Sequence, residues 1–275
     1  MKKIFLLLLP QLLLAGALFS TSCSKNDAPS NPDPQPAPSP QEIQSTTFTV
    51  NGISFNMMLV KAGTFTMGAT PEQENPNDDE SPAHQVTLTH DYYLGETEVT
   101  QALWMAVMGD NPSHFTGDNL PVEQVSWNDC QEFIRQLNAS TGLHFRLPSE
   151  AEWEFAARGG NNSRGYQYVG GNDPSDAAWY SDISNYETHP VKAKRPNELG
   201  LYDMAGNVWE WCQDGYGPYG STPQTDPSGP TNASYCVDRG GSWFNDAWSC
   251  RVSKRGYYWP DNCNYTLGLR LALSE

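Results

Sequence analysis

The chain has 275 residues, enough to bury a sizeable core in one large domain or two small ones. A formal net charge of −16 and a pI near 4.6 leave no basic surface for phosphate groups, which argues against nucleic acid as a partner. With 23 Gly, 21 Pro, nine Trp and thirteen Tyr, the composition suits a loop-rich fold of short strands and few helices.

At the N-terminus, Lys2 and Lys3 precede an apolar run too short for a comfortable membrane span, followed by small residues and Cys23. Residues 1–22 read as a secretory signal, and their end resembles a bacterial lipoprotein signal in which Cys23 carries the lipid. Residues 23–45 are Pro-rich and lack large apolar side chains until Ile43, as a stiff, extended spacer does. The expected arrangement is an exported protein, lipid-anchored to a bacterial membrane, with the outer membrane the expected one. A domain over 46–275 would be held off it, facing the periplasm or the surface.

Within that domain, residues 48–68 alternate apolar and polar around Gly52 and Gly63, which predicts two or three strands. Residues 84–100 predict another strand pair. Thr100 caps a helix that stops at Gly109. Ser126 caps a second, with Cys130, Phe133, Ile134 and Leu137 on one face, and Ser149 with Glu152 forms a capping box for a third. Beyond Gly160 no long helical period remains, and no internal repeat is visible. The predicted class is α+β with much irregular structure.

Five cysteines fall in the domain: Cys130, Cys212, Cys236, Cys250 and Cys263. Export permits disulfides, and an odd number leaves at least one thiol free. The five His do not cluster at metal-ligand spacing. Glu150, Glu152 and Glu154 look like paired acids, yet residues two apart on a helix do not face each other. No nucleophile elbow, phosphate loop or dinucleotide fingerprint is present.

Seven ordered phrases carry a resemblance: GTFTMG (63–68), GETEVTQALWMAVMGDNPS (95–113), LPVEQVSWNDCQEF (120–133), FRLPSEAEWEFAARGG (145–160), PNELGLYDMAGNVWEWC (196–212), RGGSW (239–243) and GLRLAL (268–273). Together they resemble the formylglycine-generating enzyme, or sulfatase-modifying factor, family. The resemblance implies a C-type-lectin-like fold of the formylglycine-generating-enzyme subtype. Active members oxidise a sulfatase Cys with O2 and copper held by two thiolates. The first lies three residues after the Ser of RGGS and the second five residues later. Here those positions are Asn245 and Cys250, so one thiolate is missing. Cys250 would be catalytic, and copper a cofactor, only if the chain is an enzyme. Otherwise Cys250 reads as buried or disulfide-bonded, with Cys212 the expected partner. The family's calcium loop would place Ca²⁺ on Asn207, the Val208 carbonyl and Glu210.

From Arg239 onward the chain also resembles the variable region of retroelement-diversified C-type-lectin-like proteins. Phe244, Asn245, Asp246, Trp248, Tyr257, Tyr258, Trp259, Asn262, Asn264 and Tyr265 fall at positions between its framework residues. This aromatic and amide mix suits a surface that grips. Three consecutive aromatics, 257–259, cannot all face one side of a strand, so at least one should be exposed. The leading expectation is a ligand-binding protein, silent as an oxidase, with its face in 244–266 and a protein or glycan as ligand. The alternatives are an atypical oxidase or protein-modifying enzyme using Cys250, and an envelope or motility scaffold.

Overall fold

The computed structural model describes residues 43–274; the signal segment, Cys23 and the spacer up to residue 42 lie outside the described residues. Among the described residues, three sheets and three α-helices are joined by long irregular segments.

The first sheet holds β1 (Ser45–Val50), β2 (Ile53–Val60), β5 (Tyr92–Gly95), β12 (Ala272–Ser274) and β6 (Phe145–Arg146), in the order β1-β2-β5-β12-β6 and antiparallel throughout. The last described strand thus lies between β5 and β6, which come more than 120 residues earlier in the chain. The second sheet runs β10 (Arg255–Tyr258), β9 (Cys236–Arg239), β7 (Trp209–Gly215), β11 (Leu267–Leu269), with β11 parallel to β7. The third runs β3 (Gly63–Met67), β4 (His84–Leu88), β8 (Gln224–Thr225), with β8 parallel to β4. Residues 84–100, expected as a strand pair, do supply two strands. However, β4 and β5 join different sheets and do not pair with each other. Their alternation records one buried face each but not which strand lies alongside.

The helices begin and end where the caps predict. Thr100 Oγ1 accepts from Leu103 N at the start of α1 (Gln101–Met108), and Gly109 ends it in the left-handed conformation. Ser126 and Asp129 exchange hydrogen bonds at the start of α2 (Trp127–Thr141), which ends at left-handed Gly142. Ser149 and Glu152 do the same for α3 (Glu150–Ala157).

Two apolar cores result. In one, α1 and α2 bury Leu103, Phe133 and Leu137, and the Trp104 ring stacks on Phe133 at 4.8 Å. The other gathers Trp153 and Phe155 of α3 with Val86, Val237 and Cys250. Full burial of each Phe or Leu contributes on the order of 2 kcal/mol.

Candidate functional site

The site is built where β9 leaves its sheet. Arg239, the last residue of β9, is wholly buried. Its Nη1 donates to Glu150 Oε1 (3.0 Å) and its Nη2 to Glu154 Oε2 (2.6 Å) and the Val252 carbonyl (2.7 Å). Glu150 and Glu154 lie four apart on α3, so they share a face. Arg255 grips Glu150 from β10, and Arg158 grips Glu154 from its own helix. Glu152 faces elsewhere, closing the cap and pairing with Arg146 at 2.6 Å. The three acids are therefore structural. Buried charges of this kind are tolerable only when fully paired, and the lattice fixes the loop that follows.

That loop turns through Gly240 and Gly241, both at positive φ. A Cβ on Gly241 would lie 2.8 Å from the Ser249 carbonyl and 2.9 Å from Cys250 Sγ. Glycine lets the 242–246 segment close over the turn at Ala247–Cys250. Within it, Asn245 Oδ1 accepts from Trp209 Nε1 (2.9 Å) and from Ser242 Oγ (2.6 Å). Asp246 caps the Ala247–Cys250 turn through Ser249 N and Oγ. Asn264 Oδ1 accepts from Thr266 N. Trp248 donates from Nε1 to the Asn75 carbonyl, with Lys254 and Arg251 over its ring. Each of these four residues commits at least one polar atom to a partner within the protein.

The remaining residues of the expected face divide into two aromatic groups. Tyr257 and Trp259 are each about half exposed, at 46% and 52%. Tyr257 stacks on Tyr216 at 4.1 Å, and Trp259 leans on Tyr235 at 4.3 Å. Tyr258, between them, turns inward against Trp211, as alternation along β10 requires. The second group joins Phe244 (52% exposed) through buried Trp243 to Tyr265 (45% exposed). Asn262 sits half-buried in the loop between β10 and β11, its backbone N–H donating to the Trp259 carbonyl. Tyr186 also stands beside Phe244, with ring centroids 6.4 Å apart. It lies outside the 244–266 stretch and carries no sequence signal except its neighbour Asn185.

Cys250 is buried at the end of the turn, its Sγ 3.9 Å from the Asp246 carbonyl. Burial, with the Asp246 carboxylate second, pushes its thiol up to about 12. Cys212 is also a buried free thiol. The expected Cys212–Cys250 disulfide is corrected by this finding: among the described residues all five cysteines are free. Both thiols serve as small apolar fillers of the same core.

Residues 46–275 match the family model for the sulfatase-modifying factor enzyme 1-like domain. The chain belongs to the sulfatase-modifying factor family. It is 30% identical to chaperone protein LppX of Paenibacillus barcinonensis, over 81% of this chain and 91% of that protein. It is 32% identical to the formylglycine-generating enzyme of Streptomyces coelicolor, over 76% of this chain and 86% of that enzyme. Among solved structures, Treponema denticola variable protein 1 superposes with a TM-score of 0.76 at 34% identity, covering 84% of this chain and 99% of that one. The fold is the C-type-lectin-like fold of formylglycine-generating-enzyme-like proteins.

In family terms, the first thiolate position is occupied by an amide that holds Trp209 and Ser242 in place. Of the expected calcium trio, Asn207 and Glu210 are likewise engaged. Asn207 Oδ1 accepts from His189 N, and its Nδ2 donates to Glu98 and the His189 carbonyl. Glu210 presents both oxygens to Arg270 and one to Trp153 Nε1. An ion at Glu210 would face the Arg270 guanidinium, so Asn207, Val208 and Glu210 do not fit calcium as they stand. Beside them, burial, then Asp203 and Glu210, pushes Glu98 well above the usual carboxylate range. Burial also raises Asp203 to about 6.

Proposed function

We propose that this chain is an exported, lipid-anchored ligand-binding protein whose formylglycine-generating-enzyme-like domain is silent as an oxidase and grips its ligand with the 244–266 face. One observation carries the reading: Asn245 takes the place of the first thiolate and spends its amide oxygen on Trp209 and Ser242. Copper(I) is held by soft thiolate pairs, and an amide already serving two donors offers it nothing. The remaining thiol, Cys250, is buried and held protonated at neutral pH. Meanwhile Phe244, Tyr257, Trp259 and Tyr265 stand half exposed on rigid supports. Large rings held in place contribute contact area at low entropy cost, as in antibody binding loops.

Two of the similar proteins support this reading. One similar protein is named a chaperone. Another is named a variable protein, which suits exchangeable side chains on a fixed frame. The anchor is proposed on Cys23 and the spacer after it, with the outer membrane as its site.

Mass spectrometry tests the silent-oxidase half. The full chain, loaded with copper in air, should leave the Cys of a Cys-x-Pro-x-Arg peptide unchanged beside an active family enzyme as control. Formylglycine formation that disappears with Cys250→Ser would replace this reading with the oxidase one.

A further inference from the structure

We infer that Tyr186 and Phe244 form the centre of a docking surface for a cationic, Arg- or Lys-bearing segment of a partner protein. The inference rests on the binding-protein reading and names the partner of that face.

Tyr186 is the most exposed large hydrophobic side chain described, at 63%. It sits at φ +60°, directly after Asn185 at φ +55°. Asn tolerates the left-handed region; a Tyr there is strained by its Cβ. The chain therefore accepts backbone strain to display a ring that buries little. Strain of this sort persists only where the surroundings hold it, and here they do. Buried Ser184 Oγ donates to the Trp243 carbonyl (2.7 Å) and accepts from Tyr186 N (3.1 Å). Ser181 N donates to the Asn245 carbonyl (2.8 Å). Two hydrogen bonds thus stitch the Tyr186 loop to the strand-end segment carrying Phe244, and the two rings are presented as one unit.

The surroundings select the partner. Residues 181–189 and 242–249, which meet here, carry exposed Asp182, Glu187 and Asp246 and neither Lys nor Arg. Exposed aromatic faces on segments that carry carboxylates attract a cation with an apolar stem, and the two cations nearby in sequence, Arg251 and Lys254, already lie over the Trp248 ring. The side-chain oxygens that would accept from sugar hydroxyls are already engaged at two amides: Asn245 Oδ1 by Trp209 and Ser242, and Asn264 Oδ1 by Thr266. A net charge of −16 steers a basic partner toward the molecule as a whole.

The test uses the full chain and three fluorescent probes: an Arg/Gly nonapeptide, its Glu/Gly counterpart and chitotriose, followed by anisotropy at low and high salt. The Arg peptide should bind, and more weakly as salt rises. Tyr186→Gly keeps the charge and suits the left-handed backbone. It should lower affinity at least tenfold while leaving the melting temperature equal or higher, a combination that a merely structural Tyr186 does not give. Phe244→Ala should lower affinity similarly, and Asp182→Asn with Glu187→Gln should flatten the salt dependence. Unchanged binding by Tyr186→Gly, no binding of the Arg peptide, or equal binding of the Glu peptide or chitotriose would each overturn the inference. If Tyr186→Gly binds normally but Tyr257→Ala with Trp259→Ala does not, the binding-protein reading stands and this docking site falls. Formylglycine production in the copper assay would remove the underlying reading itself.

Discussion

Asp214 gives the clearest quantitative expectation. It ends the buried part of β7 beside the N-terminus of α3, and its Oδ2 accepts from Glu150 N at 2.9 Å. Burial, then the neighbouring Glu150 carboxylate, raises it from 3.8 to about 8, against the lowering by its backbone hydrogen bond. Between those values the folded chain holds a proton that the unfolded chain has released. Stability therefore falls as pH rises through this window, by about 1.4 kcal/mol per pH unit for this group. Asp214→Asn keeps an acceptor for Glu150 N and removes the ionisation. Urea unfolding of the parent and variant from pH 5 to pH 7 isolates this residue from Glu98 and Asp238, which burial raises in the same direction. The variant's stability relative to the parent should grow by about 2.7 kcal/mol over those two pH units. A pH-independent difference, or a variant that loses stability relative to the parent toward neutral pH, would refute the reasoning.

Arg270→Ala leaves the wholly buried Glu210 carboxylate without its guanidinium; chemical denaturation should show a loss of about 3–5 kcal/mol. Brief alkylation of the native protein followed by peptide mapping should label Cys263 and spare Cys130, Cys212, Cys236 and Cys250, because the first is exposed and the others are buried. Chelation should leave the melting temperature unchanged, since Asn207 and Glu210 are satisfied by protein groups; a drop of several degrees on adding EDTA, reversed by calcium, would show that the loop rearranges to take the ion.

Much of the frame is written locally. Thr100, Ser126 and Ser149 mark three helix starts, and Gly109 and Gly142 mark two ends, because capping is settled within four residues. The alternation from Phe48 to Gly68 yields β1, β2 and β3 for the same reason. Ordered phrases such as RGGSW and GLRLAL were enough to name the family, and the missing thiolate at Asn245 was countable from Ser242.

What depended on distant parts of the chain was not legible. The ion pairs of Arg239 with Glu150 and Glu154 join residues more than eighty apart, so the acids on α3 gave no sign of their partners. Asn245 looked like a free amide for a ligand until Trp209 was found bonded to it. Cys212 and Cys250 looked available to each other, yet both settle as thiols in the same core. Tyr186 shows the limit most plainly. Its sequence neighbours describe an ordinary polar loop, and only the hydrogen bonds from Ser184 and Ser181 to the 243–245 backbone bring its ring beside Phe244. The sequence determined the caps and the alternation, all short-range chemistry. Long-range pairing of buried charges and backbone groups decided which side chains were spent inside and which were left exposed.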